Sequence, residues 1–496
     1  MIHDRAPYNH RYIDPAPALI TMTSFDFTPH AARRTALAAR LRAQGGGIAV
    51  LPTAPEALRN RDTHYPYRHD SYFHYLSGFT EPEAVVVLIS GAVTKSILFC
   101  RPKHEEREIW DGFRFGPAAA AERFGFDQAY PIEEFDSRIA QLLAGQPNLF
   151  YAMGFDAPFD TRMLAAINTV RNLVRTGQTP PAATIDVRTL LDGMRLIKDA
   201  HEIALMRRAA AISTEAHKRA MRATRPGRHE YEIEAELLHE FRRNGAESPA
   251  YGSIVAAGAN ACVLHYTAND AALRDGDLLL IDAGCEWRSY ASDITRTFPV
   301  NGTFSGPQRD LYQIVLAAQT AAKAATRPGA PYNLPHEAAV KVLAQGMLDT
   351  GLLTGSLDAA LEQGNARSGG YFRFYMHRTG HWLGMDVHDA GPYKKSAADS
   401  APSGTDSASA SASAGARAGA GAPTAATDMD WLPLQAGNMV TIEPGLYVRP
   451  ADDVPKAFWN IGIRIEDDAL VTAQGCEFIT EDCPRSIADI EALMRA

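Results

Sequence analysis

No run of about 20 apolar residues occurs in the sequence, so it offers no helix that could span a bilayer. Cysteine is scarce: Cys100, Cys262, Cys285, Cys476 and Cys483 are the whole complement, an odd number with no CxxC pair. This argues against a disulfide framework and for reduced thiols in a cytosolic protein. Positive charge is not in excess. Lys and Arg total 49 against 58 Asp and Glu, a formal charge of −9, and no Lys/Arg run offers a phosphate-neutralising face. Nucleic acid is therefore not an expected partner. The stretch MIHDRAPYNHRYIDPAPALI lacks the basic and then apolar segments of a secretory signal, and a cytoplasmic location is the expectation. Gly45-Gly46-Gly47 lacks the Lys-Ser/Thr of a P-loop and stands before a strand pattern; a helix C-cap and turn account for it.

What the chain does have is length and an ordinary globular balance. Its 496 residues, 46% hydrophobic and 22% charged, suggest two or three domains with a core large enough to need no disulfides. Residues 1–23 are polar and broken by Pro7, Pro15 and Pro17, and read as a flexible extension with Met22 as an alternative start. From 24 to 190, helix patterns alternate with strand patterns (IAVLP at 48–52, AVVVLI at 84–89, SILFC at 96–100), which predicts a smaller α/β domain. A Gly177-Gln178-Thr179-Pro180-Pro181 linker and one long helical stretch from about Asp186 to Met221 follow. Separate helices and strand runs from 191 to 496 predict an α+β domain, with LLLIDAG, ITRTFPV, MVTIEPGLYV and IGIRIED as its strands. Residues 396–427 are almost entirely Ala, Ser, Gly, Thr and Pro, and are expected to be a disordered insertion.

Four acids stand in strand-like apolar contexts, where acids are least expected. Asp282 ends LLLID, Asp293 leads SDITRTF, Glu443 follows MVTI and Glu466 follows IGIRI. With side chains alternating along a strand, Arg464 and Glu466 share one face, as do Thr441 and Glu443. A turn near Trp287-Arg288 would make Asp282 and Asp293 cross-strand neighbours. Carboxylates side by side among aliphatics repel one another and lose hydration, and cations must compensate. Histidines accompany them: His377, His381 and His388 in MHRTGHWLGMDVHD, and His265 in CVLHYT. His377 and His381 would share a helical face, but Gly380 argues against a regular helix. Each residue alone has a plain alternative: a cap for an Asp, a core hydrogen bond for a His, an ion pair for Arg464 with Glu466. Needing all of these at once favours metal ions. Cys262 and Cys285 lack the further soft ligands of a zinc site.

The order LIDAG, SDITRTF, HWLG, DVHD, TIEPGLY, GIRIEDD resembles the metal-dependent pita-bread peptidases, and among them aminopeptidase P, the Xaa-Pro aminopeptidases. The likeness runs from YPYRHDSYFHYLSGFTEPEAVVVL at 65–88 to IEALM near the C-terminus. It implies a pita-bread catalytic domain of α+β class after the smaller α/β domain. It implies two Mn²⁺ per subunit, with Co²⁺ or Zn²⁺ able to stand in, held by Asp282, Asp293, His381, Glu443 and Glu466. Asp293 and Glu466 would bridge, Asp282 would complete one site, and His381 with Glu443 the other. Hard carboxylate donors suit Mn²⁺ over thiolate-loving metals. The implied reaction is removal of the N-terminal residue from peptides with proline second, by a hydroxide generated at the metal pair. Glu443 would shuttle the proton, His265 and His388 would stabilise the tetrahedral intermediate, and His377 and Arg464 would seat the residue after the cleaved bond. A homodimer or homotetramer is implied, with Asp70, Tyr72 and Trp110 as candidates for a lip beside a neighbouring subunit's site. The alternatives are a prolidase, which shares all five ligands, and an inactive binding protein, which would have lost ligands; a methionine aminopeptidase needs no such first domain, and a creatinase-like enzyme uses no metal.

Overall fold

The computed structural model describes residues 26–362, 369–395 and 431–496. The expected extension at 1–23, with its alternative start at Met22, and the expected insertion at 396–427 lie outside the described residues. The chain divides into two compact units, Met1–Leu190 and Leu191–Ala496. Among the described residues no helix is long and apolar enough to cross a membrane.

The first unit opens with a helix at Thr28–Ala43 that buries Leu37, Ala38 and Leu41. Gly46 N–H reaches back to the Leu41 carbonyl at 2.9 Å and Gly45 N–H to that of Arg42 at 3.1 Å, so the triple glycine closes this helix. Six strands follow: β1 (Gly47–Pro52), β2 (Val85–Ser90), β3 (Thr94–Cys100), β4 (Gln128–Pro131), β5 (Asn148–Phe150) and β6 (Ala183–Ile185), in sheet order β4-β3-β2-β1-β5-β6. β2 is antiparallel to β1 and β3, and the other pairings are parallel. Helices at Phe135–Leu143 and Ala157–Asn172 lay Phe135, Ile139, Phe159 and Met163 against Val50, Val87 and Phe99 of the sheet. A strand buried on both faces needs apolar residues on consecutive positions, which is why AVVVLI, though antiparallel to both neighbours, shows no alternation.

In the second unit the expected single helix from Asp186 to Met221 is two: Arg188–Arg195, which begins at the end of the first unit, and Ala200–Ala223. Asp199 makes the break. Its side chain accepts Glu202 N–H at 2.9 Å, and the Glu202 carboxylate accepts Asp199 N–H at 3.0 Å, a reciprocal cap that starts a new helix. Helices at Ala200–Ala223 and Glu230–Arg243 precede one set of strands: β7 (Ser248–Pro249), β8 (Ile254–Ala257), β9 (Leu278–Asp282), β10 (Cys285–Trp287), β11 (Tyr290–Ala291) and β12 (Thr295–Pro299). Helices at Gly306–Ala325 and Leu334–Asp349 precede a second set: β13 (Met439–Ile442), β14 (Gly445–Val448), β15 (Ile461–Arg464), β16 (Asp467–Val471) and β17 (Cys476–Phe478). The pairings are antiparallel, in the orders β11-β10-β7, β12-β9-β8, β13-β16-β17 and β14-β15.

Two expectations for these strands are corrected. The run 439–448 is not one strand: Glu443 and Pro444 leave the ladder, so β13 pairs with β16 and β14 with β15. Proline has no N–H to give the ladder. Asp282 stands opposite Thr295, not Asp293. The hairpin turns at Arg288-Ser289, both with positive φ, and Gly284 lets the Ser292 carbonyl come where a Cβ would lie only 1.7 Å from it. That close crossing splits the hairpin and sets the two acids diagonally.

Candidate active site

Strand ends deliver the acids. Asp282 closes β9, Asp293 stands just ahead of β12, Glu443 just beyond β13, and Glu466 between β15 and β16. His381 follows an irregular stretch, not a helix, and hydrogen-bonds to β13 through its own backbone. Asp293, His381 and Glu466 each offer a donor atom within 4.8 Å of the others, the geometry of a metal-ion triad. His381 Nε2 lies 3.4 Å from Asp293 Oδ2 and 3.9 Å from Glu443 Oε1. Arg464 Nη2 donates to Asp282 Oδ2 at 2.5 Å, and Thr295 Oγ1 donates to Glu466 Oε2 at 2.7 Å. All five expected ligands and Arg464 thus converge.

Several partners escaped the sequence. The Tyr251 hydroxyl donates to Asp282 Oδ1 at 2.6 Å and to Asp293 Oδ1, tying the two diagonal acids together. Asp468 accepts the Asp293 N–H at 3.1 Å. Tyr447 OH bonds both Arg464 Nη1, at 3.0 Å, and His377 Nε2, at 2.8 Å. A lone tyrosine in PAYGS has no local pattern to betray it; the third acid of the IEDD run was the one available signal for Asp468.

Burial and mutual repulsion dominate the electrostatics. Burial pushes Glu443 up to about 7, with His381 and Arg464 opposing. Burial and the charges of Asp293, Glu443 and Asp282 raise Glu466 well above the carboxylate range. Asp282 is raised by burial against the pull of Arg464. Asp293 alone is lowered: burial pushes it up, but His381 and Tyr251 outweigh that. Burial disfavours charge on His381, yet Asp293 and Glu443 win and lift it to about 9. Its Nδ1 sits 2.9 Å from the Trp382 carbonyl, which can only accept, so Nδ1 carries the proton and Nε2 faces the acids. His377 is different. Burial and Arg464 push it down to about 3, so its 3.7 Å approach to Glu443 is not an ion pair.

His388 and His265 stand at the exposed edge. The His388 ring meets that of His381 edge-on at 4.3 Å between centroids. His265 is exposed and lies within electrostatic reach of both His377 and His388. Cys262 and Cys285 are buried thiols raised by burial to about 11 and about 12, outside the donor cluster. In the first unit, Asp70 caps the Ser71–Ser77 helix by accepting Phe73 N–H at 2.8 Å, and Trp110 is 85% exposed.

An antiparallel fold of two helix-led halves, with four buried or half-buried carboxyl groups and an imidazole at its strand ends, is that of a pita-bread metal-dependent hydrolase. Residues 204–473 match Metallopeptidase family M24, and residues 30–156 match the aminopeptidase P N-terminal domain. The chain belongs to metallopeptidase family M24. It is 41% identical to the Xaa-Pro aminopeptidase of Escherichia coli K12 over 94% of this chain and 97% of that one. It is 31% identical to human Xaa-Pro aminopeptidase 3, over 90% of this chain and 80% of the relative. The solved Pseudomonas aeruginosa aminopeptidase PepP superposes with a TM-score of 0.85 at 45% identity, over 96% of this chain and 99% of that one. A zinc-substituted Escherichia coli aminopeptidase P with bound product gives a TM-score of 0.84 at 39% identity, covering 95% and 98%. Divalent-metal dependence goes with the family, and the donors fit it: crowded buried carboxylates need positive charge, and the oxygen-rich set with one imidazole suits a hard to borderline cation.

Proposed function

We propose that this chain is an aminopeptidase that removes the N-terminal residue from peptides with proline in the second position. The observation that carries the reading is the convergence of Asp282, Asp293, His381, Glu443 and Glu466 in one cluster, Asp293 and Glu466 buried and the others half-buried. It occurs on a chain related over nearly its full length to Xaa-Pro aminopeptidases. Two Mn²⁺ ions would be held there, Asp293 and Glu466 serving both, Asp282 one, and His381 with Glu443 the other. When bound, such a pair supplies an acidified water and Lewis-acid polarisation of the scissile carbonyl.

The remaining chemistry belongs to side chains. Glu443, the carboxylate beside His381 at the cluster, would pass the water's proton to the leaving nitrogen. His265 and His388, at the exposed edge, would donate to the oxyanion of the tetrahedral intermediate. His377, kept neutral and bonded to Tyr447, would with Arg464 seat the residue after the cleaved bond. Proline's nitrogen has no hydrogen and its ring fixes φ, so a site shaped to the ring can select what other peptidases reject. The five cysteines are free, which supports a cytoplasmic setting. The exposed Ile109, Trp110 and Phe113 support a homodimer or homotetramer, measurable by light scattering.

The test is hydrolysis of an Xaa-Pro-Pro tripeptide beside the matching Xaa-Pro dipeptide, with Mn²⁺ and with a chelator. Tripeptide cleavage that the chelator blocks is the expected result. Cleavage of the dipeptide alone would move the assignment to a prolidase, and cleavage of neither would leave a binding protein.

A further inference from the structure

Thr379 lies two residues before His381, and its side chain sits between Tyr375 and His336. It is 3% exposed. Its Oγ1 is 2.7 Å from Tyr375 OH and 2.8 Å from His336 Nδ1. Among the described residues neither of those atoms has another hydrogen-bond partner. A hydroxyl has one hydrogen and two lone pairs, enough to serve both. The Thr379 carbonyl, meanwhile, accepts the backbone N–H of Glu443 at 2.8 Å.

The next two residues are fixed just as tightly. The Gly380 carbonyl accepts the Tyr332 hydroxyl at 2.7 Å, and a Cβ at 380 would lie 2.0 Å from the Thr441 carbonyl oxygen. His381 then closes on β13, its N–H donating to Thr441 Oγ1 at 3.1 Å and its carbonyl accepting Thr441 N–H at 3.0 Å. Segment 379–381 and strand β13 with Glu443 are thus held together from both ends. The hydroxyl bonds of Thr379 to Tyr375 and His336, like that of Tyr332 to the Gly380 carbonyl, bring support from outside the two segments. His336 belongs to the Leu334–Asp349 helix, so that helix is tied to the spacing of the site.

We propose that Thr379, its hydroxyl clamped between Tyr375 and His336, is a positioning residue that sets the distance between the His381 ring and the Glu443 carboxylate. The proposal rests on the metal reading given above. Two donors to one ion must meet it within a few tenths of an ångström of their ideal distances, so small displacements of either weaken binding. Groups that orient metal ligands from behind cost about 10- to 100-fold in affinity or activity when removed.

The experiment uses the full-length chain stripped of metal and titrated with Mn²⁺ by calorimetry, together with kcat and KM on an Xaa-Pro-Pro tripeptide. Thr379→Val keeps the shape and removes the hydroxyl. It is expected to weaken Mn²⁺ binding by about 10- to 100-fold and to lower kcat while KM changes little. Thr379→Ser, which keeps the hydroxyl, is expected to bind and turn over like the unmodified chain. His336→Phe removes one clamp and is expected to shift both readouts in the same direction; it carries the test alone if Thr379→Val does not fold by near-UV circular dichroism. A folded Thr379→Val or His336→Phe with unchanged Mn²⁺ affinity and kcat would overturn the proposal. So would a Thr379→Ser as impaired as Thr379→Val. If the unmodified chain takes up no Mn²⁺, the metal reading itself is overturned and this proposal with it.

Discussion

At the scale of single residues, the site is a problem in charge. Asp282, Asp293, Glu443 and Glu466 are crowded together in a largely buried place, and Tyr251, Thr295 and Arg464 give each pair only part of the compensation it needs. Arg464 brings a permanent cation, spread over Asp282, Tyr447 and Thr295 through its planar fork, an arrangement lysine cannot reproduce. Asp293 touches most of the others: Tyr251, His381 and, through its N–H, Asp468. Asp293→Ala should therefore abolish turnover and lose the metal while relieving repulsion among the remaining acids. Its circular dichroism spectrum should match that of the parent; measurable turnover at a comparable rate would show that Asp293 is not a ligand.

At the scale of elements, the loop carrying His381 and His388 is anchored by a buried ionic cluster. Asp389 accepts from Arg195 Nη2 at 2.6 Å and from Lys198 Nζ at 2.8 Å, and all three side chains are almost wholly buried. Arg195 also reaches Asp386 at 2.8 Å. This fastens the break between the Arg188–Arg195 and Ala200–Ala223 helices to the residue that follows His388. Burial raises Asp389, but Lys198 and Arg195 more than reverse it and hold the carboxyl below the usual aspartate value. The sign follows: a carboxylate depressed in the folded state contributes stability above its unfolded pKa of about 3.9, and loses it as pH falls through the lower folded value. Asp389→Asn leaves the buried Lys198 uncompensated and Arg195 with Asp386, and should cost about 3–5 kcal/mol near neutrality. It should also flatten the loss of stability below about pH 4. Urea unfolding at a series of pH values would check both, and a parallel acid limb in the variant would mean that Asp389 titrates normally.

At the scale of the whole molecule, metal and folding are linked. A ligand that binds only the folded state stabilises it by about 2.7 kcal/mol per site at a hundredfold excess over its Kd. Mn²⁺ should therefore raise the melting temperature by several degrees and a chelator should reverse it, read by scanning calorimetry. No shift with Mn²⁺ would mean that the acids are stable without cations.

How much of this the amino-acid order revealed depends on the range of the force involved. Asp282, Asp293, Glu443 and Glu466 were legible because a carboxylate within an aliphatic strand is anomalous among its immediate neighbours, and the order of the motifs did the rest. The β1–β3 runs and the glycine stop of the first helix were legible for the same local reason. The Asp199 cap, the break at Pro444 and the crossing at Gly284 are local too, but each was outweighed by a hydrophobic pattern that ran through it. Tyr251, Tyr447, Thr379 and His336 had no local signature. They matter because antiparallel pairing and helix packing bring them to atoms remote in sequence.

The sequence by itself determined the class of each unit, which follows from residue type and periodicity, while the order of its motifs carried the resemblance that pointed to the family and implied the donor set. Only the tertiary structure decided which carboxylates meet, which are held charged and which are pushed toward neutrality. Those depend on distance and burial, and both are set by the register of strands that the chain brings together only once folded.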